Sequence, residues 1–161
     1  ETLGRVEAGS CRLLLENTAG QGSCLGHQLD QLSAMIQGGG DSSRVGVCLD
    51  TCHAFAAGYA INTKAGFATL RKEIDDLLPA GSIAALHLND SKKPLGSRVD
   101  RHEHIGRGEI GLDGFRNVLI DDTLGVIPGY LETEKGTDEE TGEDWDVINL
   151  RTLRNLVSEI A

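Results

Sequence analysis

Val45-Gly46-Val47-Cys48-Leu49-Asp50 is a short apolar run that ends in a carboxylate. Apolar and β-branched residues in so short a run predict a strand buried on both faces, as in a parallel sheet. Three other runs share its form: Leu13-Leu14-Leu15-Glu16 before it, Ala84-Ala85-Leu86-His87 and Pro128-Gly129-Tyr130-Leu131-Glu132 after it. Each closes on a residue type that binds metal. Glu16, Asp50, His87 and Glu132 lie 34, 37 and 45 positions apart, close to the ~31 residues per unit of an eightfold barrel of about 250 residues. Side chains at the ends of successive parallel strands converge on one barrel face, where that architecture does its chemistry. The repeat predicts an α/β chain with about four βα units of a (β/α)8 TIM barrel. It also predicts a polynuclear metal site, and so a hydrolase or an isomerase.

Helical stripes fill the intervals. Leu25, Leu29, Leu32 and Ile36 recur at helical spacing before Gly38-Gly39-Gly40, and Phe67, Leu70, Ile74 and Leu77 form a second stripe ended by Pro79. Phe115, Val118 and Leu119 mark a short helix, and Leu150, Leu153, Leu156, Val157 and Ile160 a final one. The strands are expected at residues 12–15, 45–49, 83–88 and 126–131, with long loops at 50–62 and 89–112. Loops of the second length are functional or disordered. Alternation of strands and helices implies right-handed parallel crossovers. A length of 161 residues is short of a full barrel, and the chain starts at Glu1 without Met. Residues 1–161 are therefore expected to be a single incomplete domain, the C-terminal half of a barrel whose N-terminal half is absent.

The net charge of −10 argues against nonspecific nucleic-acid binding, but the charge is unevenly spread. Glu132, Glu134, Asp138, Glu139, Glu140, Glu143, Asp144 and Asp146 crowd one stretch expected to be a solvated loop, whereas Lys92, Lys93, Arg98, Arg101 and Arg107 make a basic segment beside the later ligands. Cys11, Cys24, Cys48 and Cys52 show no paired metal-knuckle spacing. They are expected to be reduced, buried thiols suited to an intracellular compartment. No apolar stretch approaches the ~18 residues of a membrane span.

Asp50-Thr51-Cys52-His53 sets a strand-end carboxylate and an imidazole three residues apart, and Asp100-Arg101-His102 sets another such pair at i, i+2. In extended backbone, i and i+2 point the same way. Together Glu16, Asp50, His53, His87, Asp100, His102 and Glu132 make seven carboxylate or imidazole ligands. That donor set suits zinc, with manganese a possible substitute, and is too large for one tetrahedral ion. Two ions with open positions suit phosphoryl displacement, which points to a phosphoesterase.

Longer motifs sharpen this. The segments Glu16-Asn17-Thr18-Ala19-Gly20-Gln21-Gly22, Arg44 to Tyr59 with Asp50-Thr51-Cys52-His53-Ala54-Phe55-Ala56-Ala57-Gly58 at its centre, and His87-Leu88-Asn89-Asp90-Ser91-Lys92 resemble endonuclease IV. So do Gly96-Ser97-Arg98-Val99-Asp100-Arg101-His102, Gly106-Arg107-Gly108-Glu109-Ile110-Gly111 and Leu131-Glu132-Thr133. That resemblance implies a zinc-dependent DNA-repair endonuclease with a trinuclear centre. In the family, hydroxide supplied by the metals attacks the phosphodiester 5′ to an abasic site, leaving a 3′-hydroxyl and a 5′-deoxyribose phosphate.

The resemblance further implies that Glu16 bridges the first and second zincs, that Asp50, His87 and Glu132 complete the second, and that His53, Asp100 and His102 hold the third. Glu16 and Glu132 are the carboxylates placed at the catalytic centre. Loops at 20–28 and 95–102 are expected against duplex DNA, with Arg98 and Arg101 on phosphates. The first zinc's two remaining histidines have no counterpart here; His27 and His104 are expected to be helix-start or loop residues.

The chain alone is therefore expected to be inactive, and either to self-associate through exposed sheet edges or to bind the missing N-terminal half. Two other functions stay in view. One is a metal-dependent sugar isomerase or epimerase of the xylose isomerase-like barrel class, which shares the Glu16, Asp50, His87 and Glu132 set but needs neither the second cluster nor the basic loop. The other is a non-catalytic DNA-binding fragment. The expected compartment is the nucleus or mitochondrion of a eukaryote, or the cytoplasm of a bacterium.

Overall fold

The computed structural model describes residues 11–39 and 44–159. A sheet in the order β1-β2-β3-β6 forms its centre, built from β1 (Leu13–Glu16), β2 (Val45–Asp50), β3 (Ile83–His87) and β6 (Gly129–Tyr130). All three pairings are parallel. The outer layer is α1 (Leu29–Gly38), α2 (Thr51–Ala57), α3 (Lys64–Leu77), α4 (Gly111–Leu119) and α5 (Trp145–Ser158). This is the α/β architecture expected of part of a TIM barrel, with the helices following the strands in order.

Register decides where the chemistry falls. Glu16 pairs with Cys48, Asp50 with His87, and His87 with Tyr130, so the C-terminal ends of β2, β3 and β6 stand level and Glu16 lies two residues short of Asp50. The core lies between sheet and helices. Leu29, Leu32, Ile36, Val47, Leu70, Leu86, Phe115 and Leu124 are each at most 1% exposed. The opposite, concave face is an open cleft of about 450 Å³ lined by Leu14, Cys48, Ala84, Ala85 and Tyr130, with Glu16 and His87 at its rim end.

Several expectations are corrected. The loop at 50–62 opens with α2, whose N-terminus is capped by the Asp50 side chain accepting from the His53 amide at 2.7 Å. Gly58, at φ 114°, ends that helix in the left-handed conformation. The helical stripe from Leu25 begins only at Leu29, and Leu25 is exposed. The strand expected at 126–131 shrinks to two residues, because Val126 is 81% exposed within the Leu124–Ile127 turn. The 89–112 loop contains a hairpin of β4 (Asp90–Ser91) and β5 (His102–Glu103). Asp138 in the acidic stretch is buried and accepts from the Thr141 hydroxyl at 2.8 Å, so that stretch is partly structured. Cys11 precedes β1 and is exposed, as is Cys24; only Cys48 and Cys52 are buried, and all four are free. Gly40 and Ile160, named in two helix boundaries above, lie outside the described residues.

Candidate metal centre

Asp50 is the hub. Its carboxylate is 0% exposed, with one oxygen capping α2 and the other facing the sheet's C-terminal rim. The His87 Nδ1 atom lies 4.0 Å from Asp50 Oδ2, 2.9 Å from Glu16 Oε1 and 3.0 Å from Glu132 Oε2. Donor atoms of Glu16, Asp50, His87 and Glu132 all fall within 4.8 Å of one another.

A second cluster adjoins it. One turn of α2 lifts His53 over the rim, and the β4–β5 hairpin brings Asp100 and His102 down from above. His53 Nε2 is 3.2 Å from Asp100 Oδ2 and 3.4 Å from His102 Nε2, while His102 Nε2 is 3.3 Å from Asp100 Oδ1. The hairpin tip is held there because the Gly96 and Arg98 amides donate to the Phe55 and Ala56 carbonyls at the end of α2, at 3.1 and 2.9 Å. The last carbonyls of the helix thus anchor the loop, Phe55 while also accepting from the Gly58 amide at 3.0 Å. All seven residues expected from the sequence therefore meet in space.

The rings are oriented for ligation. His53 Nδ1 lies 2.9 Å from the Asn17 carbonyl and His102 Nδ1 3.3 Å from the Glu132 carbonyl. With Nδ1–H donated to a carbonyl, each ring presents an Nε2 lone pair to the cluster, the usual arrangement around a metal. Burial, the largest single influence on His53, lowers its pKa. The Glu16 hydrogen bond and the charges of Asp50 and Asp100 outweigh it and leave the pKa at about 9. Burial raises the pKa of Asp50, while the His53 hydrogen bond holds Glu16 below the ordinary carboxylate range against burial. Four carboxylates facing three imidazoles form a strongly anionic donor set, and divalent cations fit it in both charge and chemistry. Cys52 Sγ also approaches Asp100 and His102, but burial pushes that thiol up to about 12, and it donates to the Arg101 carbonyl at 3.6 Å.

The remaining histidines sit elsewhere. His27 Nδ1 faces the Cys24 carbonyl at 3.2 Å. His104 stacks on Trp145 at 3.9 Å with the rings 10° apart, and the Arg107 guanidinium lies 4.5 Å from the same indole.

Residues 2–155 match the family of xylose isomerase-like TIM barrels. The chain belongs to that family. Within this xylose isomerase-like group its likeness is to endonuclease 4, as the motifs imply. It is 51% identical over 145 residues to the probable endonuclease 4 of Geobacter sulfurreducens, covering 90% of this chain and 48% of that one. Against the probable endonuclease 4 of Citrifermentans bemidjiense it is 49% identical over 146 residues, covering 91% and 50%. The crystal structure of endonuclease IV from Thermus thermophilus superposes with a TM-score of 0.76 at 37% identity, covering 91% of this chain and 50% of that one. The chain thus spans about half the length of the curated relatives it matches.

Sequence reasoning assigned no role to Asn17, Thr51, Asn89 or Asp90, which hold the ligands in place. The Asn17 side chain brackets the Asp50 backbone, accepting from its amide at 2.6 Å and donating to its carbonyl at 3.1 Å. Asp90 accepts from the Gly106, Gly108 and Ile110 amides at 2.9, 3.0 and 2.9 Å. Their available signal was position: polar residues one to three places after strand-end ligands, where the chain is still buried.

Proposed function

We propose that this chain carries the metal-binding portion of a zinc-dependent endonuclease that hydrolyses the phosphodiester 5′ to abasic sites in duplex DNA. One observation carries the reading: two ligand clusters, Glu16–Asp50–His87–Glu132 and His53–Asp100–His102, abut beneath a basic hairpin. A sugar isomerase of the same barrel family needs the first cluster alone.

In this reading Glu16, Asp50, His87 and Glu132 hold one zinc and His53, Asp100 and His102 another, with manganese able to substitute. The ions supply an activated water and a positive field for the phosphodiester's developing charge. Glu16 and Glu132, the more accessible carboxylates of the first cluster, stand at the catalytic centre. Asp50, sealed from solvent, orients and anchors. Arg98 and Arg101 border the ligands on the hairpin loop and contact backbone phosphates. Arg98 is held at φ 54°, a conformation that costs a non-glycine residue about 1 kcal/mol or more and is concentrated at functional sites. The loop at 20–28 lies along the same duplex.

Residues 1–161 act as a single incomplete domain, inactive alone because two ligands of a first zinc come from an N-terminal half. Its sheet edges at β1 and β6 meet that half or a second copy. Among the described residues no helix is long and apolar enough to cross a membrane. The bacterial origin of the relatives favours a bacterial cytoplasm over a nucleus or mitochondrion.

The test combines metal analysis with cleavage of a duplex bearing one abasic site. The purified chain should hold about two zincs, and about three when mixed with the N-terminal half of a related endonuclease 4. Incision should appear only in the mixture and vanish with Glu132→Gln. Robust incision by the chain alone, or a mixture that binds zinc and never cuts, would overturn the reading.

A further inference from the structure

We propose that Asn89 is a positioning residue that locks the Asp50 and Glu132 ligands to each other, an assignment that rests on the metal reading above. Asn89 is 0% exposed and lies two residues beyond His87, where β3 has ended. Its Nδ2 donates to Asp50 Oδ2 at 2.6 Å, and its Oδ1 accepts from the Glu132 amide at 2.8 Å. The amide orientation is not arbitrary. The Glu132 N–H can only donate, so it must meet Oδ1, which turns Nδ2 toward the Asp50 carboxylate. Asn89 is itself held at the backbone: its N–H donates to Thr51 Oγ1 at 2.9 Å, and its carbonyl accepts from the same hydroxyl at 2.7 Å.

Two consequences follow for the ligands. With one Asp50 oxygen bound to the His53 amide and the other to Asn89, the carboxylate cannot rotate, and its Oδ2 lies 4.0 Å from His87 Nδ1 and 3.7 Å from His102 Nε2. Glu132 follows a strand only two residues long that ends at Tyr130. Its own backbone is therefore positioned by Asn89 rather than by a sheet ladder. One side chain thus links ligands from the ends of β2 and β6, with β3 between them. Partners of this kind are worth about 10- to 100-fold in metal affinity.

Co²⁺ alone is the probe, followed by its visible absorption in the full 161-residue chain. Titrations are run in a His102→Ala background, which disables both donor groups that include His102 and leaves the four-ligand group. Adding Asn89→Ala should weaken Co²⁺ binding about 10- to 100-fold. With Asp50→Asn also present, the same change should cost less than about fivefold, since part of its effect runs through Asp50. Asn89→Asp keeps shape and the acceptor for Glu132 but sets oxygen against oxygen at Asp50. It should weaken binding at least tenfold, and it serves if Asn89→Ala fails to fold. Unchanged affinity in either Asn89 variant, or an undiminished loss in the Asp50→Asn background, would overturn the positioning role while leaving the metal reading intact. No Co²⁺ binding by the His102→Ala chain or its parent would overturn both.

Discussion

Replacing Asp90 by Asn tests how the hairpin is built. The buried Asp90 carboxylate collects backbone N–H groups from a turn rich in glycine: Oδ1 accepts from Ser91, Ile110 and Gly111 at 2.8, 2.9 and 3.4 Å, and Oδ2 from Gly106 and Gly108 at 2.9 and 3.0 Å. Gly108 must be glycine, because a Cβ there would lie 2.4 Å from the Ser91 carbonyl and 2.6 Å from Asp90 Oδ1. In Asp90→Asn the best orientation keeps the oxygen at the Oδ1 position and sets an NH₂ group against two N–H donors. Two charge-assisted bonds at about 1.5–3 kcal/mol each are lost, a destabilisation of about 3–6 kcal/mol. That is a large fraction of the about 5–15 kcal/mol that holds a domain folded. With a urea m-value of about 2 kcal/mol/M, the midpoint should fall by about 1.5 M or more at unchanged m. Urea titration followed by far-UV circular dichroism measures it. A fall of less than about 0.3 M would refute the claim that this carboxylate organises the 104–111 turn.

Three other outcomes are expected. Because the carboxylates around His53 raise its pKa to about 9, the metal-free fold keeps His53 protonated above the ordinary value. That contribution to stability is complete below pH 6.5 and is lost as pH rises through about 9. Zinc must displace this proton, so its affinity should climb with pH up to about 9, and calorimetry in buffers of different ionisation enthalpy should show proton release. For Arg98, at φ 54°, substitution by glycine removes backbone strain. Thermal stability should hold or rise by about 1 kcal/mol, while the salt dependence of abasic-duplex binding by the completed barrel falls by about one phosphate contact; unchanged salt dependence would count against the phosphate role. Finally, burial lowers the His104 pKa, with Lys92 and Arg107 adding and Glu103 and Glu134 opposing. Trp145, the single tryptophan of the chain, should therefore report a fluorescence transition centred below pH 6.5 that disappears in His104→Gln. Neutral His104 is the folded form, so that stability is lost as pH falls below 6.5.

Sequence by itself determined the strand–helix alternation and the positions of the ligands at strand ends. Those features are local: an apolar run, a helical stripe and an interval between polar residues survive without knowledge of neighbours. It failed where burial erases periodicity. Thr51, Cys52, Ala54, Phe55 and Ala56 are all buried, so α2 shows no polar face and resembles a loop. It failed again at the last strand, where an apolar Val126 stands in solvent. Only tertiary structure decided that a hairpin anchored on α2 carries Asp100 and His102 to His53, that Asp90 gathers a distant turn, and that Asn89 ties Asp50 to Glu132. These contacts join residues far apart in the chain, and their strength comes from hydrogen bonds made in water-excluded, low-dielectric surroundings. Those surroundings exist only once the parallel register has brought the strand ends together.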